Sequence, residues 1–198
     1  MTRPTAAVVG QLARDLVLTV DRLPDGEVSG HLHDHVRAGD PLEVRGPFGG
    51  WFVWRGDRPA LLVGGGSGVV PLACVLRSRA ARSAAGRSSA PVHLVAAART
   101  RAELLYADEL TGAFAEDTTV VLSREDDAGP GRPGRPAGRL RAEDLLPHAE
   151  RLGALARQGA AADVFLCGST PFTSAAEQLL QEVGVPAEVI RVERFGPS

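Results

Sequence analysis

From about residue 58 onward, short apolar runs alternate with helix-patterned segments, and no other feature of the chain limits its possible folds so strongly. Runs rich in Val, Leu and Ala read as strands at 60–63, 92–97, 118–122, 163–167 and 188–193. Between them, the spacing of apolar residues predicts helices at 69–82, 101–114, 141–157 and 172–183. Strands joined through helices run parallel, and strands that are apolar along their whole length need cover on both faces. The expected fold class is α/β, a five-stranded parallel sheet with helices on both faces. Right-handed crossovers then gather the loops after the strands along one edge, where ligands bind.

The front of the chain has a different texture. Segment 15–20 alternates in part and reads as a strand, 24–26 as a turn, 28–36 as a short helix, and 41–45 and 51–54 as two more strands, the first ending at Gly46-Pro47. Three strands are too few to close a barrel or to bury both faces. The Gly- and Pro-rich stretch 126–138 reads as a surface loop inside the second domain, and there is no internal repeat.

One segment carries a chemical signal. Leu61-Leu-Val-Gly-Gly-Gly-Ser-Gly-Val-Val-Pro71 reads as a buried strand, a tight turn and a helix start. Glycines let a backbone approach a ligand closely, and the helix N-terminus behind them presents unpaired N–H groups with a partial positive charge. A pyrophosphate fits such a turn. An ordinary strand-to-helix turn also uses glycine, so both readings stand on this segment alone. Pro71 takes the place of the last glycine of a GxGxxG fingerprint and suits a first helical turn, while the lack of a following Lys-Ser/Thr excludes a P-loop.

Composition narrows the alternatives. The chain has 198 residues, enough for one ordinary domain or one and a fragment, and 44% of them are hydrophobic. A net charge of -2 argues against a nucleic-acid surface. All 22 basic residues are arginine, so a lysine nucleophile or Schiff base is impossible. Cys74 and Cys167 are too few for a disulfide framework, a zinc site of their own or a four-thiolate cluster. Residues 1–5 lack a signal pattern and no run is apolar enough to span a bilayer, so a soluble cytoplasmic protein is expected, bound to neither nucleic acid nor membrane.

Taken in order, several segments resemble the ferredoxin–NADP reductase family of flavoenzymes, most closely the bacterial reductase components of oxygenase systems. Asp25-Gly-Glu-Val-Ser-Gly-His-Leu-His-Asp34 is similar to the family's Gly-x-x-Ser helix start, whose N–H groups bind the FAD pyrophosphate. Arg45-Gly-Pro-Phe-Gly-Gly-Trp-Phe52 resembles the end of the flavin domain, and Gly64-Gly-Gly-Ser-Gly-Val-Val-Pro71 the GGxGxxP turn for the NAD(P)H pyrophosphate. Cys167-Gly-Ser-Thr-Pro-Phe172 resembles the Cys-Gly-Pro motif beside the nicotinamide, with Ser169 in place of the proline. Glu193-Arg-Phe-Gly-Pro-Ser198 is similar to the Glu-x-Phe ending near the flavin ring. The family's flavin barrel has six strands and an Arg-x-Tyr-Ser motif, whereas Pro4-Thr-Ala-Ala-Val-Val-Gly10 stands in that place here. The expectation is therefore a partial FAD-binding barrel over 1–57, lacking its front half, followed by an NAD(P)-binding domain over 58–198.

The resemblance assigns roles residue by residue. Gly26, Val28 and Ser29 are expected at the FAD pyrophosphate, although Ser29 as a helix cap only is the plain alternative. Gly64, Gly65, Gly66, Ser67, Gly68 and Pro71, together with Gly168, Ser169, Pro171 and Phe172, are expected around NAD(P)H. Cys167, Glu193 and Phe195 are the candidates at the reacting rings; otherwise they are a small buried residue, an end-of-strand charge and a packing aromatic. Arg99, Arg101 and Arg124 follow the second and third strands of the sheet, where a guanidinium fork suits a 2′-phosphate, giving a slight preference for NADPH; solvated surface charge is the other reading. Of His31, His33 and His35 only the first and last share a helical face, and no metal site is assigned.

The resemblance implies an oxidoreductase that passes a hydride from NAD(P)H to FAD and then electrons to a separate acceptor, a ferredoxin or oxygenase component. A non-catalytic or partner-dependent NAD(P)-binding module is the alternative. Exposed barrel strands make a homodimer a further expectation.

Overall fold

The computed structural model describes residues 5–8, 16–20, 22, 26–43, 50–126, 135–157, 159 and 161–195. The chain divides into two compact units, Met1–Phe48 and Gly49–Ser198.

In the first unit, β1 (Thr5–Val8) pairs antiparallel with β2 (Leu16–Thr19), with Thr5 opposite Thr19 and Val8 opposite Leu16. Helix α1 (Glu27–Asp34) follows, one residue earlier than its pattern suggested and two residues shorter at its end. Its last turn is tied back by an Arg22–Asp34 ion pair at 2.8 Å and by His33, whose Nε2 lies 2.7 Å from the Val20 carbonyl oxygen. The expected strand at 15–20 is present as β2, whereas β1 falls where the sequence suggested no element. Residues 41–43 form no strand, and Arg45, Gly46 and Pro47 lie outside the described residues, as do Asp15, Pro24 and Asp25. The described residues of this unit form one two-stranded ladder and one helix.

The expected strand at 51–54 is also absent. This segment belongs to the second unit, and its aromatics act as anchors rather than as ladder residues. Phe52 stands edge-on to buried Phe165, with ring centroids 5.1 Å apart, and Trp54 Nε1 donates to the Arg58 carbonyl at 2.8 Å.

The sheet of the second unit follows the sequence pattern closely. It comprises β3 (Ala60–Gly65), β4 (Val92–Ala98), β5 (Thr118–Leu122), β6 (Asp163–Ser169) and β7 (Ile190–Phe195), all parallel, in the order β5-β4-β3-β6-β7. Alternate side chains enter two separate cores. Leu62, Leu94, Ala96, Val120 and Phe165 pack on one face against Val69, Leu72 and Leu76 of α2 (Val69–Ala84). Leu61, Val63, Val95, Val121 and Leu166 pack on the other against Leu145 and Ala149 of α4 (Ala142–Arg157) and Ala176 and Leu180 of α5 (Thr170–Glu182). Each fully buried Leu contributes about 2 kcal/mol of transfer free energy. The two-sided demand explains why the strands read as unbroken apolar runs.

The helix expected over 101–114 is broken. A 3₁₀ turn at Arg101–Glu103, the five-residue α3 (Ala107–Thr111) and a second 3₁₀ turn at Ala115–Asp117 replace it. The interruption sits at Tyr106, whose φ of 59° is left-handed. The loop expected at 126–138 is described only at its ends. There Gly138 donates to the Leu122 carbonyl at 3.0 Å, and Arg135 forks onto Asp144 in the first turn of α4 at 2.6 and 2.7 Å.

At the N-terminal side of the sheet, His93 of β4 and His148 of α4 stack with centroids 3.8 Å apart, and Thr119 Oγ1 lies 2.9 and 3.3 Å from their Nε2 atoms. Burial, and secondarily the positive charge of Arg151, hold the His148 pKa below the ordinary histidine value. The unfolded chain therefore binds the extra proton more readily. The stability tied to neutral His148 is complete above the unfolded pKa of about 6.5 and is lost as pH falls below it. Urea unfolding between pH 7.5 and 5 should show this decline, and His148→Gln should flatten it; an unchanged slope would exclude His148 as its source.

Candidate functional site

Strand order reverses between β3 and β6, because the chain winds outward through β4 and β5 and then returns to the other side of β3. In doubly wound sheets the crevice outside the strand ends at this switch point is the ligand site. The glycine turn leaves β3 there, and the 167–172 segment leaves β6 beside it, with Gly64 and Cys167 directly paired across the two strands. Glu193 pairs with Cys167 on the other side, and Phe195 with Ser169. The three candidates at the reacting rings therefore lie on neighbouring strand ends.

The glycines divide the work of the turn. A Cβ on Gly68 would stand 2.1 Å from the Cys167 carbonyl oxygen, so this glycine lets the helix start press against β6. Gly65 and Gly168 are both covered by the Phe172 ring, which would lie 2.6 Å from a Cβ on either. A Cβ on Gly64 would meet Leu72 at 2.9 Å. Gly66 is different. Its φ is 57°, nothing lies within 4 Å of its Cβ position, and it is exposed beside exposed Ser67. A 3₁₀ turn at Gly66–Gly68 runs directly into α2, with Pro71 in the first turn of that helix. The first N–H groups of a helical start have no partner within the helix, and here they belong to the open glycine turn. The turn thus fits a dinucleotide pyrophosphate, for which Gly66, Ser67 and Gly68 would supply backbone donors.

Cys167 is buried. Desolvation first, then the charge of Glu193, push its thiol up to about 11, with the Gly168 backbone N–H opposing weakly. It remains a neutral thiol at physiological pH, suited to contact and unsuited to nucleophilic attack.

Arg99, Arg101 and Arg124 lie beyond the ends of β4 and β5. The Arg124 N–H donates to the Arg99 carbonyl at 2.9 Å, which brings these two exposed residues together. Arg99 has a loose ion pair with Glu103 at 4.0 Å, while the Arg101 backbone N–H donates to the Glu125 carboxylate. An open cavity of about 890 Å³ is lined in part by Arg101, Leu104, Tyr106, Glu109 and Glu125, and by neither Arg99 nor Arg124. Tyr106 and Glu109 had no signal in the sequence, because the 101–114 segment read as a continuous helix, and Glu125 follows β5 with no motif to mark it.

In the first unit, Gly26 is the N-cap of α1, and no side chain caps that terminus. Ser29 is the third helical residue, and its hydroxyl points back to the Gly26 carbonyl at 3.5 Å, so it is not the cap. Val28 is exposed. The first N–H groups of a helix have no partner within it, so this turn fits a pyrophosphate, which Gly26, Val28 and Ser29 would line. His31 and His35 stack at 5.0 Å.

This arrangement defines a dinucleotide-binding α/β module of the doubly wound type. Residues 62–178 match the profile of the oxidoreductase NAD-binding domain, and the chain belongs to that family. It is 30% identical over 179 residues to the reductase component of propane 2-monooxygenase from Rhodococcus jostii, covering 89% of this chain and 46% of that protein. It is 32% identical over 183 residues to the ferredoxin reductase component of 3-ketosteroid-9-alpha-monooxygenase from Mycolicibacterium smegmatis, covering 91% and 46%. The chain thus spans about half the length of these curated relatives. Among solved structures, the flavohem-like FAD/NAD-binding domain of nitric oxide dioxygenase from Vibrio cholerae superimposes with a TM-score of 0.70 at 25% identity, over 93% of this chain and 73% of that one.

The two glycines predict separable phenotypes. Gly68→Ala should cost at least about 2 kcal/mol in urea unfolding, since neighbouring backbone has to move. Gly66→Ala should cost about 1 kcal/mol, from its left-handed backbone alone. Equal losses would mean that the turn is not divided in this way. Thiol labelling separates the cysteines as well. Exposed Cys74 should react rapidly with a disulfide reagent at pH 8, and Cys167 only slowly, gaining rate toward pH 11. Rapid labelling at pH 8 of the single thiol left in Cys74→Ser would contradict the neutral, buried state.

Proposed function

We propose that this chain is the NAD(P)H-binding, flavin-linked module of an electron-transfer reductase. The observation that carries this reading is the open Gly66 turn at the switch point, set against the Cys167–Glu193 strand ends. NAD(P)H is held by Gly64, Gly65, Gly66, Ser67, Gly68 and Pro71 on one side and by Gly168, Ser169, Pro171 and Phe172 on the other. Cys167 and Glu193 position the nicotinamide, and Phe195 covers a reacting ring. Gly26, Val28 and Ser29 hold the FAD pyrophosphate. A bound flavin accepts a hydride and releases electrons singly. The relatives are components of oxygenase systems, which supports a separate iron–sulfur or oxygenase acceptor for this chain.

NADPH is the preferred donor in this proposal, because Arg99 and Arg124 form an adjacent exposed pair where a 2′-phosphate is to be read. A cytoplasmic setting and a homodimer complete it. No helix among the described residues is long and apolar enough to cross a membrane.

The test is spectroscopic and calorimetric. The full chain, incubated with FAD and desalted, should retain a visible flavin band that NADPH bleaches under anaerobic conditions. Arg99→Ala with Arg124→Ala should weaken NADPH binding roughly tenfold or more and leave NADH nearly unchanged, as expected for losing two charge-assisted contacts. Equal effects on both nucleotides would remove the 2′-phosphate assignment. Nucleotide binding without flavin retention would favour the partner-dependent module, and light scattering of the same sample reads the dimer.

A further inference from the structure

The segment ahead of β3 is apolar on two sides. Phe52 and Trp54 pack against the core, whereas Trp51 and Val53 face solvent, with 63% and 40% of their surfaces exposed. An indole left in water forgoes the burial that an aromatic of its size ordinarily finds. The Arg191 guanidinium of β7 stands 5.9 Å from the Trp51 ring centroid and 5.2 Å from that of buried Phe165. Arg191 is itself fixed: its Nη2 donates to Asp163 at 2.9 Å and its Nη1 to the Val53 carbonyl at 3.5 Å.

Trp51, Val53 and Arg191 line a cavity of about 240 Å³ together with Arg55, Asp57 and Asp163. Asp163 opens β6 opposite Ala60, which opens β3, so this cavity lies at the amino edge of the sheet. The Gly66 turn leaves β3 at the other edge. Trp and Arg beside a pocket are the residues that most often anchor a protein interface.

Charge decides what covers the patch. Asp163 is already engaged, by Arg191 and by Arg58 at 3.9 Å. Arg55 and Asp57 are both exposed, and neither makes an ion pair or a side-chain hydrogen bond among the described residues. One cavity therefore carries an open cation and an open anion. A uniformly acidic partner, a phosphate backbone or an anionic membrane would press against Asp57, and a basic partner against Arg55. A surface that holds both signs is complementary to itself. In a two-fold contact Arg55 of each copy meets Asp57 of the other, and Trp51 and Val53 of both copies leave water together. We propose that this patch is the interface through which a second copy of this chain docks. The inference rests on the homodimer of the reading above and gives it a surface, one that leaves both nucleotide crevices open at the far edges of the sheets.

Sedimentation equilibrium of the full chain tests it. The wild-type chain should form a dimer, and Trp51→Ser should raise the dissociation constant at least about tenfold with an unchanged far-UV circular dichroism spectrum. Arg55→Asp and Asp57→Arg each set like charges opposite one another and should weaken the dimer about tenfold. The two reversals combined restore opposite signs, so the double variant should return to within about threefold of wild type. NADPH binding should be the same in all of them. A dimer that keeps its affinity in Trp51→Ser and in both single reversals, or a double reversal no tighter than the singles, overturns this interface and leaves the dimer itself standing. A wild-type chain that stays monomeric overturns both, and the NAD(P)H reading survives either result.

Discussion

The backbone of Gly68 and the carbonyl of Cys167 approach so closely that no methyl group fits between them, and the rest of the second unit is arranged around that contact. It sets the start of α2 directly against the end of β6. The Phe172 ring makes a matching contact from α5, lying over Gly65 and Gly168. Two helices from opposite faces of the sheet therefore begin at the same crevice. Their positive ends converge there, without a side-chain cap hydrogen bond on either N-cap residue. The site is thus a by-product of how two layers close over a parallel sheet at its switch point.

Most of this architecture was legible in the sequence because two-sided burial leaves a strong trace. The inner strands had to be apolar on both faces, so runs such as 60–63 stood out, while the edge strand Ile190–Phe195 carries Arg191, Glu193 and Arg194. The front unit was read less well. Thr5–Val8 has no alternation to mark it as a strand. Aromatics at 51–54 suggested a strand by propensity, but Phe52 and Trp54 serve as anchors onto Phe165 and the Arg58 carbonyl.

The site was legible in part for a related reason. Glycines leave a visible mark in a sequence, so the Gly64–Gly68 stretch stood out, although the difference between packing Gly68 and open Gly66 needed coordinates. Tyr106 left no mark at all. Residues 104–110 have helical spacing, and nothing in that pattern announces a left-handed residue in the middle. Ser29 shows the reverse limit: its residue type leaves a cap open as the plain alternative to a pyrophosphate contact, and the coordinates give the cap position to Gly26.

The burial of Cys167 has a consequence for chemical endurance. Flavin-linked electron carriers work near dioxygen, and leaked electrons yield peroxide. Peroxide attacks thiolates, and each step up the sulfur oxidation ladder begins from that anion. A sulfur kept protonated by desolvation and by Glu193 scarcely enters this ladder. The exposed Cys74, on the outer surface of α2, is the sulfur that oxidants meet first. Long service in an oxidising milieu should therefore mark this protein at its surface before it touches the crevice.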